Sequence, residues 1–195
     1  PISKFFDKFP FIDICVKQEG EITLKKVLEN LHDRESLLKV KGLIINDNGY
    51  TIDTGPPERI QNLDEVPSPY LIGLFDNLIN QYPNVEWNAT LETDRGCPYQ
   101  CTFCDWGSLT YNKVKKFNLE RVFDEIEWMG QNKCGYVSIT NANFGIFPER
   151  DNLIADKLIE VQEKYGYPKA ISVAWAKNQK QEVVDIVKKF ITSPG

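Results

Sequence analysis

The chain has 195 residues, of which 42% are hydrophobic and 26% are charged, so it carries enough apolar side chains to bury a core. It contains no run of about 18 apolar residues, and its N-terminus lacks the basic-then-apolar order of a signal peptide, so neither a membrane span nor secretion is indicated. The formal net charge of −5 and the scattered lysines argue against nucleic acid as a partner.

The five cysteines indicate the compartment. Three of them, Cys97, Cys101 and Cys104, lie in one short loop, and the total is an odd number. This pattern fits metal ligation in a reducing compartment better than a disulfide framework. We therefore predict a cytoplasmic protein that does not associate with a membrane.

The N-terminal part of the chain predicts two local units. Residues 11–16 form an apolar run suited to a buried strand, and residues 18–31 continue through a turn at Gly20 into a helix with apolar side chains at helical spacing. Farther along, Asn48 and Gly49 separate two β-rich arms. Both residues tolerate the positive φ that a two-residue turn needs, so we predict a β-hairpin there.

A connector then leads into a repeating pattern. Residues 54–70 contain four prolines and no apolar periodicity, which predicts an extended segment and a domain boundary. Beyond it, strands alternate with helix-length segments, which indicates βα units and a parallel sheet. The predicted strands are 85–93, 135–140 and 169–176, and the predicted helices are 71–82, 118–130, 151–166 and 179–190.

The cysteine loop follows the first of these strands directly, where the functional loops of βα folds lie. Residues 141–145 are predicted to form the loop after the next strand. We expect this loop, with Trp175 and Lys177, to lie beside the cysteine loop at the carboxyl-end rim of the sheet. A structural zinc site uses four protein ligands, whereas three thiolates leave one coordination position for a ligand that is not protein. A zinc knuckle and chance clustering are the alternatives.

The motif CxxxCxxC, with Phe103 before the third cysteine and a βα series around it, resembles the radical S-adenosylmethionine (radical SAM) superfamily. Residues 11–28 are similar to the closing strand and helix of a cobalamin-binding domain, although Gln18 replaces the first glycine of the usual GEGE turn. Residues 66–79 are similar to the connector of cobalamin-type radical SAM enzymes. The resemblance spans nearly the whole chain.

This resemblance implies an α/β fold and three regions. Residues 1–55 would be the C-terminal fragment of a Rossmann-like cobalamin-binding domain with its hairpin, and residues 56–82 a connector and helix. Residues 83–195 would be the N-terminal half of the radical SAM core, a partial (β/α) barrel made of its first three βα units. We therefore expect the chain to be a fragment that is inactive alone.

The same resemblance implies the cofactors. A 4Fe-4S cluster would bind Cys97, Cys101 and Cys104, with S-adenosylmethionine on the fourth iron. An electron from a reductant such as flavodoxin or ferredoxin would then cleave S-adenosylmethionine to a 5′-deoxyadenosyl radical. Phe103 would lie near the adenine. Asn141 and Asn143 would stand where many members bind the methionine amino group with Gly-Gly-Glu.

Cobalamin and a methyltransferase-like activity also enter by resemblance alone, because the histidine and glycine-rich cobalamin motifs would lie before residue 1. No catalytic residue is assigned, and the substrate, a small molecule or a macromolecule, is not identified. The alternative function is a non-catalytic iron–sulfur or zinc-binding module for electron transfer or assembly.

Other residues have plainer interpretations. Phe103 could instead plug the loop against the core, and Asp105–Gly107 could form either a turn with a buried indole or a solvent screen for the cluster. Cys15 and Cys134 are predicted to be small buried side chains without a ligand role. His32 is predicted to be solvated or capping.

Overall fold

The computed structural model describes residues 3–99, 101–104, 113–177 and 180–192, and the chain separates into two compact units, Pro1–Gln61 and Asn62–Gly195. The boundary falls inside the predicted connector. The assignment of the three regions to particular domains stays a prediction.

The first unit is built on a three-stranded antiparallel sheet of order β1-β2-β3. Asn48 and Gly49 have φ of 50° and 89° between β2 and β3, so the predicted hairpin is confirmed. Its elements are α1 (Ser3–Lys8), β1 (Ile14–Val16), α2 (Glu21–Glu29), α3 (Arg34–Lys39), β2 (Leu43–Asp47) and β3 (Tyr50–Asp53).

The core of this unit is small. Val27 of α2 packs with Val40, Leu43 and Ile45, whereas the other apolar side chains of the predicted helix are largely exposed. Leu24, Leu28 and Leu31 are 49%, 63% and 50% exposed. The sheet is too small to cover the whole apolar stripe that the spacing predicts. A Rossmann-like piece implies parallel strands, but the described strands of this unit pair antiparallel. For β2 and β3 the cause is local, because a two-residue turn can join only antiparallel neighbours.

The second unit contains a parallel sheet of order β4-β7-β8, which confirms the predicted βα pattern. A two-stranded antiparallel pair, β5 with β6, lies at the two ends of the segment that carries the three cysteines. The elements are a short 3-10 helix (Leu63–Glu65), α4 (Asp76–Gln81), β4 (Asn88–Leu91), β5 (Asp94–Arg95), β6 (Lys115–Lys116), α5 (Leu119–Gln131), β7 (Tyr136–Phe144), α6 (Pro148–Tyr165), β8 (Ala170–Trp175) and α7 (Lys180–Thr192).

Local sequence accounts for the two helices that cover the sheet. The side chain of Asn118 caps α5 by accepting a hydrogen bond from the Glu120 N–H at 2.8 Å. Pro148 occupies the first turn of α6, and Gly166 ends it with φ of 73°. The helices pack closely at Gly130, where a Cβ atom would lie 2.3 Å from Val161 Cγ1.

Two predicted boundaries are wrong. The helix predicted over 71–82 spans only Asp76–Gln81, because the chain runs through turns before it and Gly73 has φ of +73°. The predicted loop 141–145 is mostly strand, because β7 continues to Phe144. β8 supports this extension on one side, through the pair Phe144 and Trp175. Every helix of the described ranges is too short or too polar to span a lipid bilayer.

Two leucines of α6 test the packing of this layer. Leu158 is 1% exposed and Leu153 is 49% exposed, so the same substitution samples buried and exposed positions of one helix. We expect Leu158→Ala to lower the free energy of unfolding by about 2–5 kcal/mol and Leu153→Ala to change it by less than about 0.5 kcal/mol. Urea denaturation of both variants measures the difference, and equal losses would contradict the packing described.

Candidate functional site

The candidate site lies where the three parallel strands end. β4 continues into β5, and Cys97 follows β5 after a single glycine. Asn141 and Asn143 lie in the last part of β7, with buried side chains on the same face of the strand. Lys177 follows β8 at the same rim, as predicted, because it contacts the cysteine loop. The carboxyl ends of parallel strands meet at one edge of the sheet, so these residues converge.

Cys97 is the buried thiol of the loop. It is 8% exposed, and the Asn143 Nδ2 amide donates a hydrogen bond to its Sγ at 3.2 Å. Asn143 is itself 3% exposed. Its Oδ1 is buried and accepts no hydrogen bond from any described residue. The nitrogen of this amide therefore donates to the Cys97 sulfur, and its oxygen can accept a hydrogen bond from a donor outside the described residues.

The other two thiols are partly exposed. Lys177 Nζ lies 3.5 Å from Cys101 Sγ, and the Cys104 N–H donates to the Cys101 carbonyl at 3.0 Å. Phe103 is 84% exposed, with Lys177 Nζ 5.5 Å from its ring centroid. The interpretation of Phe103 as a plug against the core is therefore wrong. Its ring is presented at the rim beside a cation.

All three cysteines are free thiols. In the described ranges, no group of three or more His, Cys, Asp and Glu side chains has an arrangement that would hold a metal ion. Metal sites are seldom preformed without their metal, because binding orders the ligands. The donor set still fits an iron–sulfur cluster in its chemistry. The Asn143 oxygen, which accepts no hydrogen bond from any described residue, fits a cofactor with an amino group. The assignment of Cys97, Cys101 and Cys104 as cluster ligands stays a prediction.

Asn141 is engaged inside the protein. Its Oδ1 accepts from the Thr93 N–H at 2.9 Å, and its Nδ2 donates to Thr93 Oγ1 and to Asp94 Oδ2, each at 2.6 Å. These hydrogen bonds join the central strand β7 to the beginning of β5. Asn141 thereby positions the segment that leads into Cys97.

A charged cluster beside the site, made of the partly buried Arg150 and the buried Asp94 and Asp151, was missed in the sequence. Arg150 donates to the carbonyl oxygens of Thr93 at 3.2 Å and Phe117 at 2.8 Å, which flank β5 and β6. Asp151, which is fully buried, accepts from the Gly145 N–H at 2.7 Å and the Phe147 N–H at 3.1 Å. The signal available was weak, namely charged residues at the predicted start of α6.

Burial controls the ionisation of this cluster. It raises the pKa of Asp94 to about 7, with further help from the nearby carboxylate of Asp151. Burial also raises the pKa of Asp151, although hydrogen bonds from Phe147 and Gly145 oppose it, and lowers the pKa of Arg150. An acidic side chain whose pKa lies near neutral pH is thus found at the base of the cysteine loop.

The remaining predictions have mixed outcomes. Cys134 is buried as predicted, and burial raises the pKa of its thiol to about 11. Cys15 is only partly buried, because the small sheet leaves β1 incompletely covered. His32 is exposed in the turn between α2 and α3, in agreement with a solvated role. Asp105–Gly107 lies outside the described residues.

Comparison with curated proteins gives long matches to methyltransferases, although no protein-family model matches the chain. The chain is 37% identical over 189 residues to the 2-(S-pantetheinyl)-carbapenam-3-carboxylate methyltransferase of Streptantibioticus cattleyicolor, and it is equally similar to the cobalamin-dependent radical SAM methyltransferase TokK of Streptomyces tokunonensis. Each match covers 95% of this chain but only 28% of the relative. The chain thus spans less than a third of the length of these relatives.

Solved structures show the same fold. The cobalamin-dependent S-adenosylmethionine radical enzyme OxsB, with aqua-cobalamin bound, matches with a TM-score of 0.58 at 21% identity, over 97% of this chain and 27% of that one. The radical S-adenosylmethionine methyltransferase TsrM of Kitasatospora setae, with cobalamin and a 4Fe-4S cluster bound, matches with a TM-score of 0.55 at 16% identity, over 83% of this chain and 32% of that one. Both likenesses concern the mixed α/β fold.

The raised pKa of Asp94 makes a prediction about stability and pH. Between about pH 4 and 7 the folded protein keeps the Asp94 proton that the unfolded chain releases, so this group makes stability fall as pH rises. The isosteric variant Asp94→Asn lacks this loss. We expect Asp94→Asn to gain stability relative to the wild type as pH rises across the window, by at most about 4 kcal/mol because one pKa unit is about 1.4 kcal/mol.

Urea unfolding of both proteins at several pH values between 4 and 8 measures this difference. Subtracting the two curves removes the contributions of other carboxyl groups, including Glu127, whose pKa is lowered to about 2 by hydrogen bonds from Lys164, Tyr165 and Lys157. A difference that stays constant over the whole range would refute the assignment.

Proposed function

We propose that this chain, which belongs to the radical SAM superfamily and to its cobalamin-dependent type, holds a 4Fe-4S cluster on Cys97, Cys101 and Cys104 and binds S-adenosylmethionine beside it. One observation carries the proposal. The cysteine loop meets the carboxyl ends of β7 and β8 through two polar contacts, from Asn143 to Cys97 and from Lys177 to Cys101. These contacts involve Cys97 and Cys101, and they support a site at the edge of the sheet where βα proteins bind ligands.

Asn143 suits a role at the cofactor. Its Oδ1 is buried without a partner among the described residues, and leaving a buried acceptor unsatisfied costs roughly 1–3 kcal/mol. An ammonium group such as that of S-adenosylmethionine would satisfy it with a charge-assisted hydrogen bond. Asn141 is predicted at the same amino group, but its amide is already hydrogen-bonded to Thr93 and Asp94. We therefore propose that Asn143 contacts the amino group and that Asn141 positions the loop.

Phe103 and Lys177 supply the outer side of the site. The exposed Phe103 ring and its backbone are available to the adenine. Lys177 brings a positive charge to a rim where thiolates and a carboxylate would carry negative charge, and Coulomb attraction favours that arrangement. These side chains would position the cofactor, and substrate chemistry would belong to parts of the protein outside this sheet.

The bound cluster would supply an electron that cleaves S-adenosylmethionine to a 5′-deoxyadenosyl radical, and a flavodoxin-like or ferredoxin-like protein is the proposed reductant. Methyl transfer with cobalamin is proposed from the names of the relatives. We assign no described residue of 3–61 to cobalamin. We also propose that residues 83–195 form the first three βα units of a barrel, after a connector at 56–82 and a cobalamin-domain fragment at 1–55, in a cytoplasmic protein.

Anaerobic reconstitution with iron and sulfide tests the cluster. We expect the wild-type chain to give a brown protein with one 4Fe-4S cluster and Cys101→Ala to give none, because a cluster needs each thiolate ligand. Cys15→Ala is the matched control, since Cys15 lies in β1 and outside the loop, and it should retain a full cluster. Absorption spectra and iron and sulfide analysis are the measurements.

Addition of S-adenosylmethionine separates the enzyme from the alternative. A chain that binds S-adenosylmethionine at the cluster should show a changed cluster spectrum, even if it is inactive alone. Formation of 5′-deoxyadenosine with a reductant would show cleavage as well. A non-catalytic iron–sulfur module should show neither change. A colourless, zinc-loaded protein would overturn the proposal at its first step.

A further inference from the structure

We infer that Asn143 sets the reduction potential of the cluster, by donating an N–H···S hydrogen bond to the Cys97 ligand. This inference rests on the proposed function, because it assumes that Cys97 binds the cluster. It concerns the nitrogen end of the Asn143 amide, whereas the proposed contact with S-adenosylmethionine concerns the oxygen end.

The contact is short, buried and made by a side-chain donor. Asn143 Nδ2 lies 3.2 Å from Cys97 Sγ, within hydrogen-bond range for sulfur, and the two residues are 3% and 8% exposed. Low local dielectric strengthens such a bond relative to one in water. Among the described residues, the sulfur also has the Tyr99 carbonyl oxygen at 4.0 Å, which accepts and cannot donate.

The backbone around Asn143 fixes the amide in place. Its carbonyl oxygen accepts from the Ile146 N–H at 3.2 Å, and the next residue, Phe144, accepts from the Ala176 N–H at 2.8 Å. Two residues earlier on the same face, Asn141 is bonded to Thr93 and Asp94 at the entry to the cysteine loop. These hydrogen bonds therefore fix the Asn143 amide and the segment that carries the Cys97 sulfur at the same end of β7.

The sign of the effect follows from charge. One-electron reduction makes the cluster and its sulfur ligands more negative, so a donor to sulfur stabilises the reduced form more than the oxidised form. Asn143 thereby raises the potential and makes the reduced state easier to reach. Lys177 at Cys101 acts in the same direction, but Cys101 is more exposed, where solvent screens the charge.

Two substitutions at position 143 test the inference in the reconstituted chain without S-adenosylmethionine. Asn143→Leu removes the donor at similar volume, and Asn143→Asp keeps the shape but places a carboxylate against the sulfur. Dithionite is the electron donor, and redox titration followed by electron paramagnetic resonance gives the potential. We expect both variants to be harder to reduce, with the ratio of reduced to oxidised cluster at a fixed potential lowered on the order of tenfold, which is a shift of about 59 mV for one electron.

Asn88→Leu is the control, because Asn88 is an exposed asparagine on β4 of the same sheet, and it should leave the potential unchanged. Variants with a wild-type cluster content and an unchanged potential would overturn the inference and leave the proposed function standing. Loss of the cluster in both Asn143 variants, with the wild type loaded, would also overturn it, since Asn143 would then serve assembly instead of tuning. A wild-type chain without any cluster would refute the proposed function itself.

Discussion

The hydrogen bonds from Asn141 to Thr93 and Asp94 are the constraint on which the rest of the site depends. β4 ends before these two residues, and the parallel pairing with β7 ends with it at Leu91. Beyond that point the backbone ladder no longer ties the two segments together. The Asn141 amide replaces the ladder with side-chain hydrogen bonds, and it does so where its own burial makes each bond costly to break.

Arg150 of α6 also anchors the two ends of the cysteine segment. Arg150 reaches from the first turn of α6 to the carbonyl oxygens of Thr93 and Phe117. The Phe117 N–H also donates to the Thr93 carbonyl oxygen at 3.1 Å. The entry and the exit of the cysteine segment are thus joined at one guanidinium. Asp151 is fully buried and Arg150 partly buried, which costs desolvation energy, and the hydrogen bonds they make to backbone groups offset part of that cost. The loop ends are fixed independently of whatever the loop binds.

Much of the fold could be predicted from local sequence. The hairpin at Asn48 and Gly49 depends only on residues that tolerate positive φ. Helix α5 depends on an apolar stripe and the Asn118 cap. Both signals are local in the sequence. The end of β7 was harder. Asn141 and Asn143 are typical of loops, but tertiary neighbours override that preference, namely β8 on one side and the segment at Thr93 and Asp94 on the other. Local composition carries no information about those neighbours.

The site was predictable in its chemistry and not in its contacts. The spacing of Cys97, Cys101 and Cys104 is visible in a short window of sequence. The partners that hold them, Asn143 and Lys177, are distant in the chain, and the exposure of Phe103 depends on a rim assembled from three strands. The cluster around Asp94 and Arg150 was missed for the same reason, since neither residue has a local pattern that distinguishes it from a surface charge.

The spacing of the two asparagines explains why one strand can both anchor the loop and contact the cluster ligand. Residues two apart on a strand face the same side, so Asn141 and Asn143 both point toward the cysteine segment. β7 also bulges here, because it uses more residues than β8 between the pairs Ile139–Val173 and Phe144–Trp175. A bulge bends a strand and re-aims its side chains. A shift of one residue in β7 would turn both amides away from the loop, so the register of the central strand controls the hydrogen bond to Cys97.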